Sequence, residues 1–165
     1  MIIVEKVNYK NIFNLMLDQN IKLSKRINTS LDFIPEIYKL KKAEKQKTPL
    51  NRQHFMVSHK LEDKMFIDGM VGIQSIDTVN KKARLCVLPF SKVDYLVNGA
   101  KIIVNDYCID QLHLNKLYTH IDYEAPDNIF EFWSKFGYDS KHLDFFCDDT
   151  WWVYIKILNN KEKTK

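Results

Sequence analysis

Apolar residues recur along this chain with two periods, and the places where the period changes divide it into elements. Ile2-Ile3-Val4 reads as a short strand, after which Asn8 can cap a helix carrying Tyr9, Ile12, Phe13, Met16 and Leu17 on one face. A second, shorter helix is expected from near Asp32 and Pro35, burying Ile34, Ile37, Tyr38 and Leu40 and fraying into the basic stretch Lys39 to Lys47 before Pro49. Gln53 to Ser58 and Met65 to Ile76 read as an antiparallel hairpin turned by Leu61-Glu62-Asp63-Lys64. The polar turn Asp77-Thr78-Val79-Asn80 leads to a third strand, Ala83 to Leu88, which Pro89 ends because proline has no N–H to give a ladder.

The clearest helical stripe runs from roughly Asn98 to Leu112, with Ala100, Ile103, Val104, Tyr107 and Cys108 on one face. Leu117 to Ile121 alternates as a strand. Pro126 and Asp127 then open a helix whose Ile129, Phe132, Trp133 and Phe136 fall at i, i+3, i+4 and i+7, and Gly137 stops it. Trp151 to Leu158 is the last strand. The order of elements is that of an α+β domain. The strand, helix, strand passage around Asn98 to Leu112 implies a right-handed crossover, which makes the strands of Val87 and Leu117 parallel neighbours.

A length of 165 residues suits one domain, expected over 1–158, with 159–165 as a frayed polar tail. With 45% hydrophobic and 28% charged residues the chain can bury a core, and its longest apolar runs, such as Trp151 to Ile155, fall far short of the roughly 18 residues of a membrane helix. No basic-then-apolar leader opens the sequence, so a cytoplasmic location without membrane association is expected. The formal charge of +4 is too small and dispersed to indicate nucleic acid, and the run KLKKAEKQK reads as a solvated helix face. Cys86, Cys108 and Cys147 form an odd set without a CxxC pair, against both a disulfide framework and a structural metal.

Four pieces resemble, in order, the acyl-CoA-dependent N-acyltransferases of the GNAT superfamily. They are Val71-Gly72-Ile73, Leu85-Cys86-Val87-Leu88-Pro89, Gln111-Leu112-His113-Leu114-Asn115-Lys116-Leu117-Tyr118, and Phe132-Trp133-Ser134-Lys135-Phe136-Gly137-Tyr138. The resemblance covers about Ile67 to Leu158. It implies an α/β/α layered fold with a mixed, mostly antiparallel sheet of six to seven strands, four helices, and a splay between the fourth and fifth strands. In that splay, backbone groups near Val87 and Leu88 would bond the pantetheine arm of acetyl-CoA. A main-chain N–H there would polarise the thioester carbonyl.

Against the family's pattern this chain shows three departures. The pyrophosphate loop, small-residue-rich so that successive N–H groups form an anion nest, corresponds here to Lys92-Val93-Asp94-Tyr95-Leu96-Val97, followed by Asn98 and Gly99. Lys92 keeps a positive charge, but Tyr95 and Val97 replace both small residues, a β-branched valine resists positive φ, and Asp94 adds a negative charge; Gly99 lies close enough to rescue a shifted loop, although without a gap it sits inside the helix. The strand-four position of the family's glutamate base is Arg84, which cannot accept a proton, leaving His54, His59, Asp77 and His120 as base candidates. The position of the tyrosine acid coincides with Trp133, leaving Tyr123 or Tyr138 as donors. Cys86 is open to a thiol-nucleophile reading besides that of a packed strand cysteine.

Two functions therefore stand side by side: a divergent N-acetyltransferase moving an acetyl group from acetyl-CoA to an amine on a small molecule or protein, and a catalytically inactive GNAT-fold binding protein. The aromatic residues, among them Phe55, Phe90, Tyr95, Phe145, Phe146, Trp151 and Trp152, fit a greasy acceptor cleft or a homodimer interface as well as the core.

Overall fold

The computed structural model describes residues 1–7, 51–90, 92–146 and 149–158. The two expected amino-terminal helices, the basic stretch Lys39 to Lys47, Cys147 and the tail 159–165 lie outside the described residues. Seven strands form one sheet: β1 (Ile2–Lys6), β2 (Gln53–Leu61), β3 (Lys64–Asp77), β4 (Lys82–Pro89), β5 (Lys116–Asp122), β6 (Ser140–Phe146) and β7 (Asp149–Ile157), in the order β1-β2-β3-β4-β5-β7-β6. The pair β4–β5 is parallel and every other pair antiparallel, as the crossover predicts. The sixth strand was not expected from the sequence.

Helices α1 (Val93–Ile103) and α2 (Asp127–Phe136) pack on one sheet face. A π-helical segment, Val104–Gln111, prolongs α1, and the Leu112 N–H closes on the Tyr107 carbonyl at 3.0 Å. Alternation divides each strand between faces. Phe55, Val57, Val71, Ile73, Ala83, Leu85, Val87, Leu117 and Ile121 meet Val93, Leu96, Val97, Ala100 and Ile103 of α1 and Ile129, Phe132, Trp133 and Phe136 of α2 in a single core.

Helix α1 begins at Val93, five residues before the expected start. The reason is a stripe that continues toward the amino end: Val93, Leu96, Val97 and Ala100 stand at i, i+3, i+4 and i+7, and all four are buried. Gly99 lies inside this helix, so it does not serve a shifted loop. A Cβ there would stand 2.3 Å from Cγ1 of Val57, and glycine lets the helix lie against β2.

A bulge shapes the far end of the hairpin. Val57 pairs with Gly69 and Ser58 with Ile67, leaving Asp68 as the extra residue. Gly69 admits the next strand closely, since its Cβ would meet the Leu88 carbonyl oxygen at 2.4 Å. The Asp68 carbonyl accepts the Phe90 N–H at 2.8 Å, tying the end of β4 to this bulge just before α1 begins.

Candidate functional site

Strands β4 and β5 pair only over Lys82↔Lys116, Ala83↔Leu117 and Arg84↔Tyr118. Beyond that, β4 continues to Pro89 bonded to β3, while β5 continues to Asp122 bonded to β7. No described strand fills the wedge between Leu85–Pro89 and Thr119–Asp122. Strand backbone alternates the side to which its N–H and C=O point, so every second residue of β4, in the stretch containing Val87 and Leu88, turns its polar groups into this opening. An extended chain with amide groups of its own is the ligand shape such an edge accepts.

The face of the sheet away from α1 and α2 carries the polar groups. Register sets Gln74, Arg84 and Tyr118 in one row across β3, β4 and β5. Two residues further along, Cys86 on β4 and His120 on β5 stand on opposite banks of the wedge at matching depth. The Gln74 amide nitrogen donates to Nε2 of His54 at 3.2 Å, and its oxygen accepts from the Cys86 thiol at 3.6 Å. His54 and Cys86 are both buried. Tyr118 meets His120 edge-on with ring centres 5.8 Å apart. Partial burial lowers the pKa of His120 from its ordinary 6.5; the Arg84 charge and His142 push the same way, and Asp144 opposes them. At neutral pH its imidazole is therefore uncharged and able to accept a proton.

The start of α1 lies at the other end of the wedge. Lys92 is its N-cap residue with extended backbone (φ −62°, ψ 133°), and no side chain caps the first turn. Residues 92–99 contain no positive φ, so the anion nest of the family's loop is replaced by ordinary helix. Val97 is thus compatible with its backbone after all. Asp94 is paired with Lys135 of α2 at 2.9 Å, a bond that lowers its carboxyl pKa, and Lys135 also reaches Glu131 at 2.8 Å. Tyr95 lies flat on His59, with ring centres 3.8 Å apart and planes 10° from parallel. The Nδ1–H of His59 donates to the fully buried Asp68 carboxylate at 2.9 Å.

These positions separate the candidates drawn from the sequence. His120 and Cys86 stand at matching register on the two banks of the wedge, with the Cys86 thiol turned to Gln74 of β3. His54 is held in the Gln74 bridge, and His59 is engaged by Asp68 and Tyr95. Asp77 is the last residue of β3, its pKa lowered by the Asn80 backbone and side-chain amides. Trp133 is a core residue, 1% exposed, packed against Phe132, Phe136 and Tyr154. Tyr123 and Tyr138 come together on the helix-facing side of the sheet, in a cavity of about 510 Å³ that Trp152, Tyr154 and Lys141 also line. Lys141 points its ammonium at Trp152, 3.9 Å from the ring centre. The sheet lies between this cavity and the His120 face. Among the described aromatics Phe55 is core, whereas Tyr95 and Phe145 are exposed and Phe90, Trp151 and Trp152 are half-buried. Among the described residues no cluster of His, Cys, Asp and Glu suits a metal ion, and no helix is long and apolar enough to cross a membrane.

Known structures share this architecture. A spermidine N-acetyltransferase from Vibrio cholerae, in complex with CoA and spermine, superposes with a TM-score of 0.61 at 18% identity, over 94% of this chain and 95% of that one. A dodecameric structure of spermidine N-acetyltransferase from the same organism gives 0.62 at 17% identity over 98% of both chains. A domain from Methanocaldococcus jannaschii gives 0.64 at 13% identity, over 96% of this chain and 99% of that one. The chain has the GNAT acetyltransferase fold. The sequence itself matches no protein-family model and no curated protein.

Within the GNAT fold the wedge between β4 and β5 is the expected splay, and β6 completes the upper end of the expected strand count. Gln74 is not legible in the sequence, because a lone glutamine in a strand carries no signal. Only the β3–β4 register reveals it beside Arg84.

Proposed function

We propose that this chain is an acyl-CoA-dependent N-acetyltransferase that moves an acetyl group from acetyl-CoA to an amine. The observation that carries the reading is the β4–β5 splay, which offers strand backbone to an extended arm at one end and an uncapped helix start at the other. Acetyl-CoA supplies an activated acetyl thioester. Backbone groups of the Val87 and Leu88 stretch hold the arm, and a main-chain N–H there polarises the carbonyl that the amine attacks. Lys92 and the first-turn N–H groups of Val93, Asp94 and Tyr95 receive the pyrophosphate, with Lys135 balancing the charge of Asp94.

His120, uncharged at neutral pH, takes the proton from the amine. In the balance of the transfer an N–C bond forms as the C–S bond breaks, and the proton lost by the amine ends on the released CoA thiol. Tyr123 and Tyr138 face the opposite side of the sheet, so they are not assigned the donor's part.

One observation favours the second reading, a GNAT-fold binding protein without catalysis: α1 starts as plain helix where the family has a nest. Titration calorimetry with acetyl-CoA separates the two. The transferase reading expects saturable binding below millimolar concentration; no heat of binding at millimolar acetyl-CoA would end it.

A further inference from the structure

Arg84 stands at the vertex of the splay, the last residue of β4 to pair with β5, on the face that carries Cys86 and His120. The side chain is half-buried, and its Nε is shielded from solvent without a hydrogen-bond partner. The ion pairs among the described residues place their carboxylates elsewhere: Asp68 with His59, Asp63 with Lys60, Asp94 and Glu131 with Lys135. Gln74 beside it is engaged with His54 and Cys86. Asp122 and Asp144, further along the same face, each accept a backbone N–H, from Glu124 and from Phe145.

A guanidinium is always charged, and its planar fork matches a carboxylate with two parallel hydrogen bonds. A half-buried one with an unmet donor at the vertex of the splay is a receptor for such a group. The pyrophosphate of the cofactor is not its ligand: at about 3.3 Å per residue, the five steps from Arg84 to Pro89 place it roughly 16 Å from the end of β4 that leads into α1.

Building on the transferase reading, we propose that Arg84 binds a carboxylate of the acceptor, so that the substrate is a small amine bearing a carboxylate, of amino-acid type, and not a polyamine. A polyamine brings two or more positive charges to the cleft and meets a fixed like charge there, an element that selects against it. A carboxylate seated on Arg84 instead anchors the molecule beside His120, where the amine gives up its proton. The structure thus argues for an acceptor different in charge from the spermine held by the Vibrio cholerae enzyme.

The test measures CoA thiol release from acetyl-CoA with a panel of amino acids, each beside its decarboxylated amine, and with spermidine. At least one amino acid is expected to exceed its decarboxylated counterpart tenfold or more in kcat/KM. Arg84→Ala should erase that ratio and Arg84→Lys keep part of it; Arg84→Gln, uncharged but still polar, serves as the second variant should alanine unfold the protein. Acetyl-CoA affinity, measured by calorimetry on the same samples, reports whether the cofactor slot is intact. Three results overturn the proposal: decarboxylated amines or spermidine used as well or better, a ratio unchanged in the Arg84 variants, or no amino acid acetylated by protein that binds acetyl-CoA. Failure of the unaltered chain to bind acetyl-CoA overturns the transferase reading itself, which is a distinguishable outcome.

Discussion

Acetyl transfer by His120→Ala is expected to be about 10²- to 10⁴-fold slower at pH 7 than by the unaltered chain, with acetyl-CoA binding retained. An ammonium acceptor has no lone pair, so it must give a proton to a base before its nitrogen can attack. Arg84 cannot serve, because a guanidinium stays protonated and accepts no proton. His120 stands two residues further along the neighbouring strand on the same face, and the surroundings that lower its pKa keep it unprotonated at neutral pH. Because the base form is the neutral one, the rate should rise with pH through a value below 6.5. The same shift bears on stability with a definite sign. The unfolded chain takes up the proton first, so the contribution of His120 is complete above pH 6.5 and is lost as pH falls below it toward the folded pKa. A pH–rate profile and a steady-state assay of His120→Ala check both; an unaltered rate in the variant would hand the proton to water and remove His120 from the mechanism.

Trp133→Ala is expected to lower stability by about 3–5 kcal/mol. Against a typical total of about 5–15 kcal/mol this is enough to leave a marginal fold partly open. The indole is among the largest fully buried side chains, wedged between Phe132, Phe136 and Tyr154 with ring centres 5.5–5.8 Å away. These three ring neighbours come from the same helix and from the middle of β7, elements that do not collapse into the hole that alanine would leave. The loss therefore falls on the α2–sheet contact beside the wedge. Urea denaturation reads it directly, and a change below about 1 kcal/mol would contradict the place of Trp133 in the core.

Both residues show how far the sequence carries. Trp133 was legible as core from its place in the stripe Ile129, Phe132, Trp133 and Phe136, which needs only helical spacing. His120 was legible as a candidate but not as a choice, because its partners Arg84, His142 and Asp144 come from other strands and meet only through register. Strand β6 escaped because Lys141, His142 and Asp144 break any apolar alternation; it is an exposed edge strand held by its ladder to β7. The start of α1 differs from expectation for another reason: the segment that corresponds to the family's loop carries Val93, Leu96 and Val97, which already spell helix. Tyr123 and Tyr138, offered as alternatives for one role, line one cavity together on the other side of the sheet.

The central claim is that the opening between Leu85–Pro89 and Thr119–Asp122 receives the acyl-CoA arm. Backbone amide shifts of isotopically labelled protein, followed during an acetyl-CoA titration, test it residue by residue. Saturable changes concentrated on Leu85 to Leu88, Val93 to Tyr95 and Thr119 to Asp122 are expected. Shifts confined to other strands, with the amides of Val87 and Leu88 unmoved at saturation, would contradict it.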